Sequence, residues 1–267
     1  MQMLRRIIGS WKASVGMFLS RKSLGLLVLA TVRGLGSIFA HWAMLIASAG
    51  LVSIAIATMV GRGYPSWLVT VLVDGSLCFY MYFLILAVRP SVGRKDTLYF
   101  AASLKRLLSF LVVRMVHYFV WLGVMFWFLP RLITALHGVT VLGLELDFGL
   151  RSNALLLYMA VMLALSFAVH FYTFFLLFDL PNSWRSIWRS LVGGLRFVLV
   201  NLPGIALVTV LCMAIFAVDA FLLWQFMPGL YALHYSFVLT LPFIVAIQGA
   251  VYTRRLYETM GLVGLGN

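Results

Sequence analysis

The sequence predicts an all-α polytopic membrane protein: about six transmembrane helices with three cytoplasmic interfacial amphipathic helices, in a threefold helical-hairpin repeat. Three observations carry this. Hydrophobic residues make up 64% of the 267 positions and charged ones only 10%, where a soluble domain is roughly 25% charged. A water-facing exterior cannot be built from that composition, so the solvent is lipid. The apolar runs are each close to the ~20 residues that a crossing needs, and they leave no length for a sizeable soluble domain. The formal net charge is +13, and its basic residues gather beside alternate runs, as at the cytoplasmic ends of spans. Residues 1–267 thus form a single transmembrane domain.

Residues 1–32 read MQMLRRIIGSWKASVGMFLSRKSLGLLVLATV. A basic start before Leu24–Val32 imitates a signal peptide. However, Arg33 interrupts the apolar segment, no small-residue cleavage site follows, and another long run comes next. An interfacial or partly inserted helix is expected instead, with Arg5, Arg6, Lys12, Arg21 and Lys22 on the inside. Gly34–Val60 is the first span, GRGYP at 61–65 a turn, and Ser66–Val88 the second span. Lys105, Arg106 and Arg114 mark a second basic amphipathic stretch, Thr97–Val116. The third span is about His117–Ile133. Residues 136–153 form the longest loop, and the fourth span is about Ala154–Phe178.

The stretch LPNSWRSIWRSLVGGLRFVLVNLP follows, at Leu180–Pro203. At 100° per residue, Trp184, Ile187, Trp188, Leu191, Leu195, Val198 and Leu199 fall within an arc of roughly 120°. Arg185, Arg189 and Arg196 flank that arc, while Ser183, Ser186, Ser190, Gly193 and Gly194 lie mostly opposite. Asn182 is the expected N-cap, after Pro181. This is the pattern of a helix lying in a membrane interface, with Trp at headgroup depth and Arg toward anionic lipid. The fifth span is about Pro203–Phe226, and a tight turn holds Pro228-Gly229. The sixth span is about Tyr231–Val251, with Pro242 a kink that neighbouring helices must satisfy. Arg254 and Arg255 close it.

Of the 20 Lys and Arg residues, only Arg62, Arg131 and Arg151 then fall outside. That asymmetry puts both termini in the cytoplasm. The same arithmetic removes nucleic acid as a partner, because the basic residues mark membrane ends and no basic soluble module is present. Cys78 and Cys212 have no CxxC spacing and sit in apolar runs, as small buried hydrophobes do.

SWKASVGMFLSRKSLGLLVLATV at 10–32 and SWRSIWRSLVGGLRFVLVNLPG at 183–204 share a Ser-Trp-basic start and a following apolar run. LYFAASLKRLLSFLVVRMV at 98–116 is a looser copy. FYMYFLILAVRP at 79–90 echoes FYTFFLLFDLP at 171–181. The repeats would be 1–90, 91–181 and 182–267. With FFLLFDLPNSWRSIWRSLVGGLRFVLVNLPGIALVTVL and the terminal IQGAVYTRRLYE, the chain resembles the YciC-like bacterial inner-membrane proteins. It is also similar to the membrane domain appended to some glycerophosphodiester phosphodiesterases. The likeness covers most of the chain as architecture, although the long acidic or Gly/Ser-rich outer loop common in such proteins is short here. The resemblance implies a six-span protein of the bacterial inner membrane and carries over no catalytic residue.

Asp74 and Asp219 are the only acids well inside expected spans, both roughly 10–14 Å below the outer surface. Two carboxyls at similar depth can share a proton, bind a cation or meet a substrate amine. A hydrogen-bonded structural Asp is the alternative. His41 and His170 fall in the cytoplasmic halves of their spans, and His117 near the inner interface; proton transfer or structural hydrogen bonding suits them. Their spacing demands no haem, and no cofactor is expected. G-x-S-x-G, H-E-x-x-H, P-loop and dinucleotide motifs are absent, so no enzyme activity is expected. The candidate lipid-interface residues are Trp11, Lys12, Lys105, Arg106, Trp184, Arg185, Trp188 and Arg189. The expected function is that of a non-enzymatic scaffold or accessory subunit contacting anionic lipid, with a membrane-protein partner or a second copy. A transporter for a small molecule or an ion, using Asp74 and Asp219, is the alternative.

Overall fold

The computed structural model describes residues 2–60, 66–88, 100–123, 140–141, 144–145, 168–180, 183–227 and 229–263. They form helices α1 (Gln2–Leu19), α2 (Arg21–Ala40), α3 (Trp42–Val60), α4 (Ser66–Val88) and α5 (Phe100–Gly123). After these come α6 (Ala168–Asp179), α7 (Trp184–Val200), α8 (Leu202–Trp224) and α9 (Gly229–Val263). In the long loop, Thr140–Val141 pairs antiparallel with Leu144–Glu145. The expected turn at 61–65, the third span past Gly123 and the fourth span before Ala168 lie outside the described residues. Among those described, three segments are long and apolar enough to cross a membrane: Arg21–Ala40, Leu202–Trp224 and Tyr231–Leu256. The protein is therefore a helical membrane protein with several apolar helices, as its composition demands.

Helix α8 matches the expected fifth span to within two residues at each end, with Pro203 in its first turn, where a missing N–H costs nothing. Elsewhere the boundaries move. The first amphipathic stretch is two helices, because the chain turns extended at Ser20 (φ −86°, ψ 123°). Helix α2 then runs through Arg33, and the break comes at His41, inside the expected first span. His41 leaves helical geometry (φ −105°, ψ 37°) and its amide turns to Ile38 O. Its Nδ1–H donates to the Ser37 carbonyl at 2.9 Å. The imidazole thus serves the carbonyl that a regular helix would give to the His41 amide, and no breaker residue is needed. Helix α5 joins the second amphipathic stretch to the start of the third span without interruption, since residues 98–122 contain neither Gly nor Pro. Helix α9 continues past Arg254 and Arg255 to Val263, because both side chains find partners within the fold.

Helix α6 lies in the middle of the described core. Phe171 through Phe178 are all buried, as expected for a helix that is apolar all round. Phe110 of α5 stacks on Phe174 at 3.5 Å between centroids. On another side of α6, Tyr172 and Phe175 meet Phe197 of α7 and Tyr252 of α9. Helix α2 packs along α9, with Gly34 against Ala246 and Val88, while Arg254 donates to Ser23 Oγ at 2.8 Å. The start of α2 and the end of α9 are thereby at one end of the bundle.

Pro242 sits inside α9 and has no N–H to give to Val238 O. The Tyr80 hydroxyl of α4 donates to that carbonyl at 3.0 Å. In an apolar interior this replacement stands in for a backbone bond. Tyr80→Phe is expected to cost about 1 kcal/mol of unfolding free energy in detergent micelles. In a Pro242→Ala background the restored amide serves Val238 O, and the same change should cost less than ~0.3 kcal/mol. Equal costs in both backgrounds would mean that the hydroxyl and the proline are not coupled.

Candidate functional site

Helix α7 opens at Ser183, whose Oγ accepts the Ser186 amide at 3.3 Å. Ser183 is therefore the cap, one position after the expected Asn182. The face that α7 turns into the protein is Ser186, Ile187, Ser190, Gly193, Gly194, Phe197 and Val198. A Cβ on Gly194 would lie 2.8 Å from Thr173 N and 2.9 Å from Thr173 Cα, so the backbones of α6 and α7 nearly touch. The apolar arc expected from the sequence is accordingly divided. Ile187 and Val198 point inward and Leu191 packs half-buried against the core, while Trp184 (72% exposed), Trp188 (63%), Leu195 and Leu199 point away from the protein, joined there by Val192. In lipid an apolar stripe gains nothing by facing the core, and small residues allow close helix approach. Arg185, Arg189 and Arg196 are exposed beside that stripe.

Helix α1 extends this surface. Met3, Leu4, Ile8 and Trp11 are exposed, as are Arg5, Arg6 and Lys12. Trp11 Nε1 donates to Leu199 O at 2.8 Å, satisfying a carbonyl in the last turn of α7. The Ser14 hydroxyl receives the Gly204 amide at 3.3 Å, and a Cβ on Gly204 would meet Ser14 O at 2.7 Å. The two helices form one platform of aromatic and aliphatic side chains edged by cations.

Behind the platform lies a buried arginine. Arg255, 3% exposed, donates through Nε to Asn201 Oδ1 at 2.8 Å and through a terminal nitrogen to Ser10 Oγ at 2.8 Å and Ser10 O at 3.2 Å. Its other terminal nitrogen meets Glu258, an exposed carboxylate three residues on. Asn201 separates α7 from α8 (φ −115°, ψ 17°) and donates its own amide group to Phe197 O at 3.0 Å. One guanidinium thus clasps α1, the α7–α8 junction and α9. In the sequence Arg255 resembles the other cationic span ends. The available signal was Asn201, an amide inside an apolar run just before Leu-Pro-Gly.

Arg106 does not join the platform. It donates to Phe178 O at 2.8 Å, in the last turn of α6, and lies over the Phe178 ring, a favourable place for a cation at a helix C-terminus. The side chains of Lys105 and Asp74 lie outside the described residues. His170 is buried between α5 and α6. Its Nε2 accepts from Arg114 at 3.2 Å, which leaves the hydrogen on Nδ1, and that atom has no partner among the described residues. The His117 ring meets His170 edge-on at 4.9 Å. Asp219 lines a groove between α8 and α9 whose lining includes neither His41 nor His170. Of the four intramembrane candidates, the three whose side chains are described, Asp219, His41 and His170, have separate surroundings and do not form one site. No family model, curated protein or solved structure matches this chain.

Proposed function

We propose that this chain is a non-enzymatic scaffold or accessory subunit of the bacterial inner membrane, seated on anionic lipid by the α1–α7 platform. In this reading it has six spans, both termini cytoplasmic, three interfacial helices and a threefold hairpin repeat, as in the YciC-like proteins it resembles. The observation that carries the reading is the orientation of α7. Its small residues face the protein, while its Trp and Leu stripe and three arginines face out. That outward stripe covers no protein core and suits the headgroup boundary. The end of α7 at Asn201 meets Arg255, at the expected cytoplasmic end of α9, which fits the inner leaflet. The assembly it serves would contribute a membrane-protein partner or a second copy.

Juxtamembrane cations contribute about 1 kcal/mol each toward anionic lipid. Arg185→Gln/Arg189→Gln/Arg196→Gln should therefore weaken phosphatidylglycerol binding on the order of 100-fold. In neutral detergent the melting temperature should stay unchanged, because all three side chains are exposed. With phosphatidylglycerol added, the wild type should rise in Tm and the triple variant should not. An equal rise in both would remove the platform from the account.

Transport is the second reading, favoured by Asp219 Oδ2, which is buried with no hydrogen-bond partner among the described residues. Asp74→Asn and Asp219→Asn should then abolish flux in proteoliposomes while leaving the melting temperature in place. Unchanged flux would end that reading.

A further inference from the structure

We infer that the groove between α8 and α9 binds a phospholipid with a primary ammonium head, an ethanolamine-headed lipid, through the Asp219 carboxylate. The open groove has a volume of about 600 Å³, within the ~300–1,000 Å³ usual for small-molecule sites. Val218, Asp219 and Leu222 form its α8 wall; Leu239, Thr240 and Phe243 form its α9 wall. Val218, Leu222, Leu239 and Phe243 are exposed, so the groove opens sideways, where a bilayer supplies the occupant.

Charge decides what the occupant must carry. Among the described residues that line the groove Asp219 is the only charged one, and its buried Oδ2 has no hydrogen-bond partner among them. The Thr240 hydroxyl is committed as a donor to Ser236 O at 2.7 Å and has only acceptor capacity left. An occupant therefore needs an apolar body and a head rich in N–H donors. A primary ammonium has three such donors and a positive charge; a choline head has the charge without the donors, and a glycerol head has no positive charge. Asp219 lies five residues before the end of α8 at Trp224, about 7–8 Å along the helix, within reach of a headgroup bent into the groove. This site is separate from the platform: it recognises an amine with an anion, where α7 recognises anionic lipid with cations.

The test is native mass spectrometry and Tm measurement on the purified full chain, with phospholipids of identical tails and ethanolamine, choline or glycerol heads. Wild type should retain the ethanolamine lipid at least tenfold better than the choline lipid. Asp219→Asn should reduce that preference to less than twofold with an unchanged melting temperature. Leu222→Trp, which fills the groove, should lower retention of both lipids together. A preference that survives Asp219→Asn overturns the proposal, as does a wild type blind to the headgroup. Asp219-dependent binding of dodecylamine without any ethanolamine-lipid preference also overturns it and marks a free amine as the occupant. Loss of the phosphatidylglycerol response in the arginine triple variant would leave this outcome untouched, so the two sites fail separately.

Discussion

Gly194→Val is expected to lose more than ~3 kcal/mol of unfolding free energy, and Gly194→Ala about 1–3 kcal/mol. The cause is the approach of α7 to α6. An added Cβ meets the Thr173 hydroxyl, which can rotate away, but it also meets Thr173 N at 2.8 Å and Cα at 2.9 Å, which cannot. Relief requires α7 to move bodily. That movement would disturb the contact of Phe197 with Tyr172 and Tyr252 in the aromatic core. Gly16→Ala is the control, because a Cβ there meets nothing within 4 Å. It should be neutral or stabilising by up to ~1 kcal/mol through helix propensity. Unfolding midpoints in mixed micelles would read both. A Gly194→Val protein within ~0.5 kcal/mol of wild type would mean that α7 is not packed this closely.

Arg255→Met is expected to cost roughly 3 kcal/mol. Hydrogen bonds to charged groups contribute about 1.5–3 kcal/mol each, and relief from burying a cation offsets part of the loss. What is lost is the guanidinium's bonds to Asn201 Oδ1 and to the hydroxyl and carbonyl of Ser10, leaving Asn201 Oδ1 only the longer bond from the Ser10 hydroxyl at 3.4 Å. Arg255→Lys should recover less than half of the loss, because an ammonium on one stem cannot span Asn201 and Ser10 as a planar fork does. A local readout separates unclasping from general weakening: trypsin should cut after Lys12 faster in Arg255→Met at temperatures where the rest of the bundle is intact. Equal cleavage rates would show that α1 is held by Trp11 and Ser14 alone.

Composition and hydropathy carry the coarse architecture, because lipid imposes an apolar exterior whatever the helices do inside it. Leu202–Trp224 was legible for that reason. The break at His41 was not. There a side chain serves a backbone carbonyl, and a single imidazole in an apolar run has no breaker signature. The inward face of α7 was also hidden. Periodicity gives the direction of the apolar stripe, but in a membrane that direction does not say which side meets protein; Gly194 and Ser190 carried the answer through size. Arg106 and Arg255 look like the exposed cations Arg185 and Arg189 in the sequence. Only tertiary contacts with Phe178 O, Asn201 and Ser10 set them apart.

The arginine clasp also fixes an order of events during biogenesis. Ser10 and Arg255 are 245 positions apart. A ribosome adding roughly 5–20 residues per second takes about 12–50 s to travel between them. For all of that time α1 exists without the guanidinium that later holds it. Over that interval Met3, Leu4, Ile8 and Trp11, which stay exposed in the finished protein, carry no load from α9, and the bundle closes over α1 only when the last turns of α9 emerge.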